Sequence, residues 1–214
     1  MGKAWNHFKT ISYHKYLVAQ GCFRVGLYWQ GIMHDLSKYS PTEFRVGMQY
    51  YQGTRSPNDA ERELRGYSSA WLHHKGRNRH HFEYWVDYSG KKPGETRAVP
   101  MPGRYIAEMI MDRIAACKIY KGEAYTDAAP YEYYLKGKNN RMMHPDTEKI
   151  LERMLRMLAE EGEEKTFRCI REELVGKRGA NSVHKGRCRH IQRRNIGGRR
   201  SRTGNNPGKR NTIQ

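Results

Sequence analysis

Apolar positions recur at helical spacing along most of the chain, and no segment alternates for long. From Trp5 onward, Tyr13, Tyr16, Leu17, Phe23, Val25 and Leu27 predict a helix to about Gln20. A break is expected near Gly21, then a second short helix into Met33. An apolar approach leads to His34-Asp35, and the chain leaves the helix before Pro41, whose predecessor disfavours helical dihedrals. Ser40 and Glu43 have capping-box spacing with Pro41 at the first helical position, which predicts a helix to about Tyr51. Residues 52–60 form a loop, and a helix is expected over residues 59–74. A turn over 75–79 precedes a short helix from His80 or His81 to Tyr88, and residues 89–103 form a long loop. Ile106, Met109, Ile110, Ile114 and Cys117 form an apolar stripe that predicts a strong helix over residues 104–120. Residues 121–140 are turn-rich, with a short helix near 130–136. Two last helices are expected over 146–161 and 165–175. No strand or internal repeat is visible, so the body reads as an all-α helical bundle.

Composition divides the chain in two. Of the net charge of +18, residues 176–214 contribute 12 Lys or Arg and no Asp or Glu, which leaves residues 1–175 only mildly basic. That tail is rich in Gly, Asn and Arg and too poor in large apolar groups to offset the entropy of ordering. The expectation is therefore a helical metal-binding domain over 1–175 and a disordered basic tail over 176–214. The tail could contact nucleic acid weakly through charge, or be merely solvated. No run of 18 apolar residues exists, and the start lacks the apolar stretch of an export signal, so no membrane association is expected. Cys22, Cys117, Cys169 and Cys188 lack metal or redox spacing and point to a reducing, cytoplasmic setting. Oligomeric state is not legible.

Candidate chemistry lies in the histidines. There are 10 in the chain, and their grouping matters more than their number. His14 is on an early helix, His34 and Asp35 are adjacent, and His73, His74, His80 and His81 bracket one turn. Asp112 interrupts an apolar stripe. A buried carboxylate there needs a cation or hydrogen-bond donors. It would either ligate a metal or pair with an arginine such as Arg113. Imidazole with carboxylate suits a divalent ion: Mn, Fe, Co, Ni, Zn or Mg. Side chains of adjacent residues diverge by about 100° on an ideal helix, so His34 and Asp35 converge only where a helix ends. Lys38 is within reach either of a bound phosphate or of Asp35. Trp71, Phe82, Tyr84 and Trp85 read as core more than as a substrate platform.

These residues carry a resemblance. His14, His34-Asp35 and Asp112 resemble the H…HD…D signature of the HD superfamily of metal-dependent phosphohydrolases, and residues 33–38 are similar to its apolar-His-Asp-x-x-Lys segment. Residues 34–44, together with Ala70-Trp71-Leu72-His73-His74 and residues 78–85, resemble more closely a family of uncharacterised bacterial and phage proteins known as a domain of unknown function. That resemblance covers roughly residues 10–160. The HD likeness implies an HD-domain-like bundle with His14, His34, Asp35 and Asp112 as metal ligands. Dinuclear members add two histidines, for which His74 and either His80 or His81 are the candidates, though these lie closer in sequence than is usual there.

The function expected is hydrolysis of a phosphate ester, with a nucleotide among the candidate substrates and with one or two ions. In this reading Asp35 ligates and orients water, and Lys38 with Arg77, His80 or His81 neutralises phosphate charge. The alternatives are a di-iron HD-like oxygenase and a non-enzymatic, metal-containing nucleic-acid-binding protein.

Overall fold

A computed structural model of the chain describes residues 2–176. The tail expected to be disordered lies outside them, apart from Gly176. The described residues form eight α-helices and one small hairpin. α1 (Lys3–Arg24) buries His7, Ile11, His14, Val18 and Cys22, a stripe at three- and four-residue spacing that includes two histidines. The expected break at Gly21 does not occur. A Cβ there would lie 2.7 Å from Sδ of Met111, so this glycine lets two helices approach inside an unbroken turn. The chain turns instead at Gly26, whose φ of 87° suits glycine.

α2 (Tyr28–Met33) leads to the His34-Asp35 step, and a 3₁₀ turn (Leu36–Tyr39) leads to α3 (Pro41–Gln49). Ser40 caps α3 by accepting from the Glu43 N–H, but the Glu43 carboxylate does not complete the capping box. Residues 59–74, read as one helix, are two: α4 (Pro57–Arg65) and α5 (Ser69–Lys75). Gly66 adopts a left-handed φ of 79° and ends α4, and Ser68 starts α5 by accepting from Trp71 N–H. The expected helix after His81 is only a 3₁₀ turn (Phe82–Trp85). It runs into β1 (Val86–Tyr88), which pairs antiparallel with β2 (Thr96–Ala98). The body is thus not free of strands, although each has only three residues.

α6 (Gly103–Lys121) is the central helix, buried from Ile106 to Met111 and packed against α1, α7 (Ala129–Lys136) and α8 (Pro145–Ile170). The last two helices expected are one element with a kink at Gly162, whose φ of 78° is not helical. A π-helical turn (Arg171–Val175) follows. A contiguous apolar core joins Val18, Ile110, Tyr134, Leu155 and Ile170. The architecture is all-α, and no helix among the described residues is long and apolar enough to cross a membrane.

Candidate metal centre

Four pieces of backbone deliver the site. α1 brings His14 on its buried face. At the end of α2, His34 is extended (φ −51°, ψ 127°) and Asp35 is left-handed (φ 54°, ψ 26°). Asp35 is the one non-glycine residue with positive φ among those described. This abrupt exit lets adjacent side chains meet where a continuous helix would splay them. α5 brings His74 in its last turn. Backbone N–H groups of Arg77 and Asn78 then donate to the His74 carbonyl, each at 3.1 Å, and the chain doubles back so that His80 and His81 return to His74. Asn78 Nδ2 holds the reversal by donating to His74 O (2.8 Å) and Ser37 Oγ (2.9 Å). α6 brings Glu108 and Asp112, one turn apart.

Asp35 is the hub, 2% exposed. Its Oδ2 lies 3.2 Å from His34 Nε2 and 3.8 Å from His14 Nε2, and Lys38 Nζ is at 2.5 Å. Its Oδ1 faces the other way, 3.3 Å from His74 Nε2 and 3.4 Å from His80 Nε2. Asp112 Oδ1 lies 2.9 Å from His14 Nε2 and 3.7 Å from His34 Nε2, with no pairing to Arg113. Two donor groups share Asp35: His14, His34, Asp35 and Asp112 on one side, and Asp35, His74, His80 and His81 on the other; His34, His80 and Glu108 make a third grouping behind them. Within each, the donor atoms lie within 4.8 Å of one another. The short spacing from His74 to His81 is therefore no obstacle, because the turn folds back on itself; their Nε2 atoms are 2.9 Å apart.

Two carboxylates behind these groups were not foreseen as site residues. Glu108 Oε1 lies 3.0 Å from His34 Nδ1 and 3.2 Å from His80 Nδ1. Glu43 Oε2 lies 2.8 Å from His74 Nδ1, and its Oε1 2.6 Å from His73 Nδ1. An acceptor on Nδ1 favours the tautomer whose Nε2 lone pair faces forward, toward Asp35. The available signal for Glu108 was its place four residues before Asp112 on an otherwise apolar face. In the sequence Glu43 reads only as a capping residue. His73 is held by Glu43 and does not join the donor groups.

The electrostatics favour a cation. Burial would raise the Asp35 pKa, but His34, Lys38 and His74 hold it well below the usual carboxylate range. Glu108 is likewise brought to about 2, against its burial, by hydrogen bonds from His34 and His80. Burial opposes charge on His34, yet Asp35, Asp112 and Glu108 keep its pKa well above the ordinary value. That negative potential acts on any cation placed there. Burial and the charges of His80 and His74 keep His81 neutral.

The donor set fits a metal ion by a further test. His14 Nε2, His34 Nε2, His80 Nε2 and both Asp35 oxygens are buried without a hydrogen-bond partner among the described residues. Several lie at contact distance but are not aligned as hydrogen bonds. Each such atom costs about 1–3 kcal/mol if left unsatisfied. Five in one place is what a shared cation resolves, and these buried clusters could hold one.

The centre backs onto a cavity of about 710 Å³. His14, Lys38, His74, His81 and Asp112 line it, together with Trp71 and Phe82. His80, expected to face substrate, is 2% exposed and lies behind this wall among the donors. Arg77 is exposed, donates to the His73 carbonyl and does not line the cavity. Lys38 meets Asp35 and also borders the cavity, so the two roles considered for it are compatible.

A search of curated proteins found no match, and neither did a search of solved structures. A family model described as "Family of unknown function (DUF5662)" matches residues 3–157, a span that holds every residue of the two donor groups, and the chain belongs to that family.

Proposed function

We propose that this protein is a metal-dependent phosphohydrolase acting on a small phosphate ester, with a nucleotide as the size class that suits its cavity. The observation that carries the reading is the shared Asp35: a buried carboxylate with one oxygen toward each of two imidazole groups, beside a cavity bordered by Lys38. The likeness of His14, His34-Asp35 and Asp112 to the HD superfamily supports it, because these four residues form one of the donor groups.

A bound divalent ion would supply Lewis acidity, lowering the pKa of water and polarising a phosphoryl oxygen. His14, His34, Asp35 and Asp112 would hold one ion, and Asp35 with His74, His80 and His81 a second. Lys38 places positive charge at the cavity wall, where negative charge builds on the phosphoryl oxygens. Glu108 and Glu43 keep the imidazoles oriented. Trp71 and Phe82 give the cavity an apolar side that excludes water. Cys22 and Cys117 are free thiols, which supports a cytoplasmic setting.

The test is metal content of untagged wild type beside Asp35→Ala, followed by phosphate release from a panel of phosphate esters. One or two ions per chain and metal-dependent phosphate release, both lost in the variant, are expected. Two irons with oxygen consumption and no phosphate release would replace this reading with the oxygenase one. No retained metal, even after reconstitution, would overturn both.

A further inference from the structure

The metal centre and its supporting carboxylates leave one wall of the cavity unexplained. Arg113, the residue after Asp112 on α6, and Arg141, in the segment before α8, both line it. Arg113 Nε and Arg141 Nη1 are buried and have no hydrogen-bond partner among the described residues. Neither guanidinium forms an ion pair with a described carboxylate. Glu83 lines the same cavity, and its Oε2 is buried without a partner as well.

Arg141 is held in place. Its guanidinium lies over the Tyr134 ring, 5.0 Å from the centroid. It also crosses Gly137 so closely that a Cβ there would lie 2.6 Å from Nη2. Burial and the Arg113 charge lower its pKa, which places the two cations within each other's field. Two guanidinium groups with buried unsatisfied donors on one cavity are costly, and Glu83, which lies in the field of both, forms no ion pair with either and is pushed toward its neutral form by burial. An anion between the two guanidinium groups removes that cost. Guanidinium groups suit phosphate because their N–H donors match its oxygens in pairs.

We propose that Arg113 and Arg141 form an anion subsite of the cavity, taking a second phosphoryl group of a substrate that carries at least two. The substrate class is then an organic diphosphate. A cavity of about 710 Å³ is in the range that encloses a ligand of nucleotide size. The naming of a substrate rests on the phosphohydrolase reading; the anion subsite does not.

The experiment is calorimetric titration of the full chain with inorganic pyrophosphate, in chelator and at physiological salt. Charge-driven binding elsewhere on the chain is common to all variants, so the comparison between them reads the cavity. Wild type is expected to show one saturable site. Arg113→Gln and Arg141→Gln should each weaken it by about tenfold to a hundredfold, and Arg141→Lys by less. Arg77→Gln, outside the cavity, should stay within about twofold. A cooperative melting transition in Arg113→Gln and Arg141→Gln shows that lost binding is not lost folding. Absence of a saturable site in wild type, or equal affinity in the arginine variants, would overturn the proposal. An arginine-dependent site in a protein that releases phosphate from no ester would leave the subsite standing and remove the hydrolase reading.

Discussion

Glu108 Oε1 lies 3.0 Å from Nδ1 of His34, so a carboxylate on α6 sets how an imidazole at the end of α2 points into the site. The same oxygen is 3.2 Å from His80 Nδ1 and so orients one histidine from each donor group. Glu108→Gln keeps the shape but removes the charge and changes the donor pattern. Metal affinity is expected to fall about 10- to 100-fold, with melting of the metal-free protein little changed. Competition against a chelating dye would measure it. An unchanged affinity would mean that the Glu108 contacts serve packing alone.

Metal binding should appear as stability. A ligand that binds only the folded state adds about 2.7 kcal/mol at a concentration a hundredfold above its Kd. The melting temperature of wild type should therefore rise with added divalent metal and fall back with chelator. His34→Ala, which removes a donor that is 1% exposed, should show a flat response. A parallel rise in both proteins would place the metal elsewhere on the chain.

Lys38 touches Asp35 and borders the cavity, so its charge can serve the reaction without serving metal retention. Lys38→Met is expected to keep bound metal and to lower the turnover of a responsive phosphate ester by about 10²–10³-fold. Lys38→Arg should recover part of it. Loss of metal in Lys38→Met would show instead that the ion pair holds Asp35 in place.

The helical stripes were legible because burial on α1 and α6 follows the 3.6-residue period. The donor set was legible because His34-Asp35 and Asp112 are conspicuous in apolar surroundings. Other features depend on tertiary context. Gly21 reads as a breaker, and only its closeness to Met111 explains why it lies inside a helix. The hairpin strands have three residues each, too few to show alternation. Glu43 reads as a cap residue until α5 is packed against α3. Arg141 lies in a turn-rich stretch, and its contact with Tyr134 gives no sequence signal.

Glu61 ties α4 to α5 and has a defined pH signature. It is fully buried, and it accepts from Ser68 Oγ at 2.6 Å and Ser69 Oγ at 2.7 Å. Burial would raise its pKa, but these donors and backbone N–H groups bring it below the ordinary value of 4.5. A pKa lowered by folding contributes stability above 4.5 that is lost as pH falls through the folded value. Glu61→Gln should therefore melt below wild type near neutral pH, and the gap should narrow on acidification below 4.5. A gap independent of pH would assign the loss to hydrogen-bond geometry and not to charge.

Asp35 combines two properties that substitution can separate. Its φ of 54° is in the left-handed region, where a Cβ costs roughly 1 kcal/mol and glycine is unstrained. Its carboxylate is the one group shared by both donor sets. Asp35→Ala removes the ligand and keeps the strain; Asp35→Gly removes both. Both variants should lose metal, whereas in chelator Asp35→Gly should be the more stable by about 1 kcal/mol, read from urea unfolding at constant slope. Asp35→Asn tolerates the left-handed backbone but carries no charge, so it should fold well and bind metal poorly. If Asp35→Gly retained metal, the carboxylate could not be the hub, and the backbone exit from α2 alone would be what gathers the histidines.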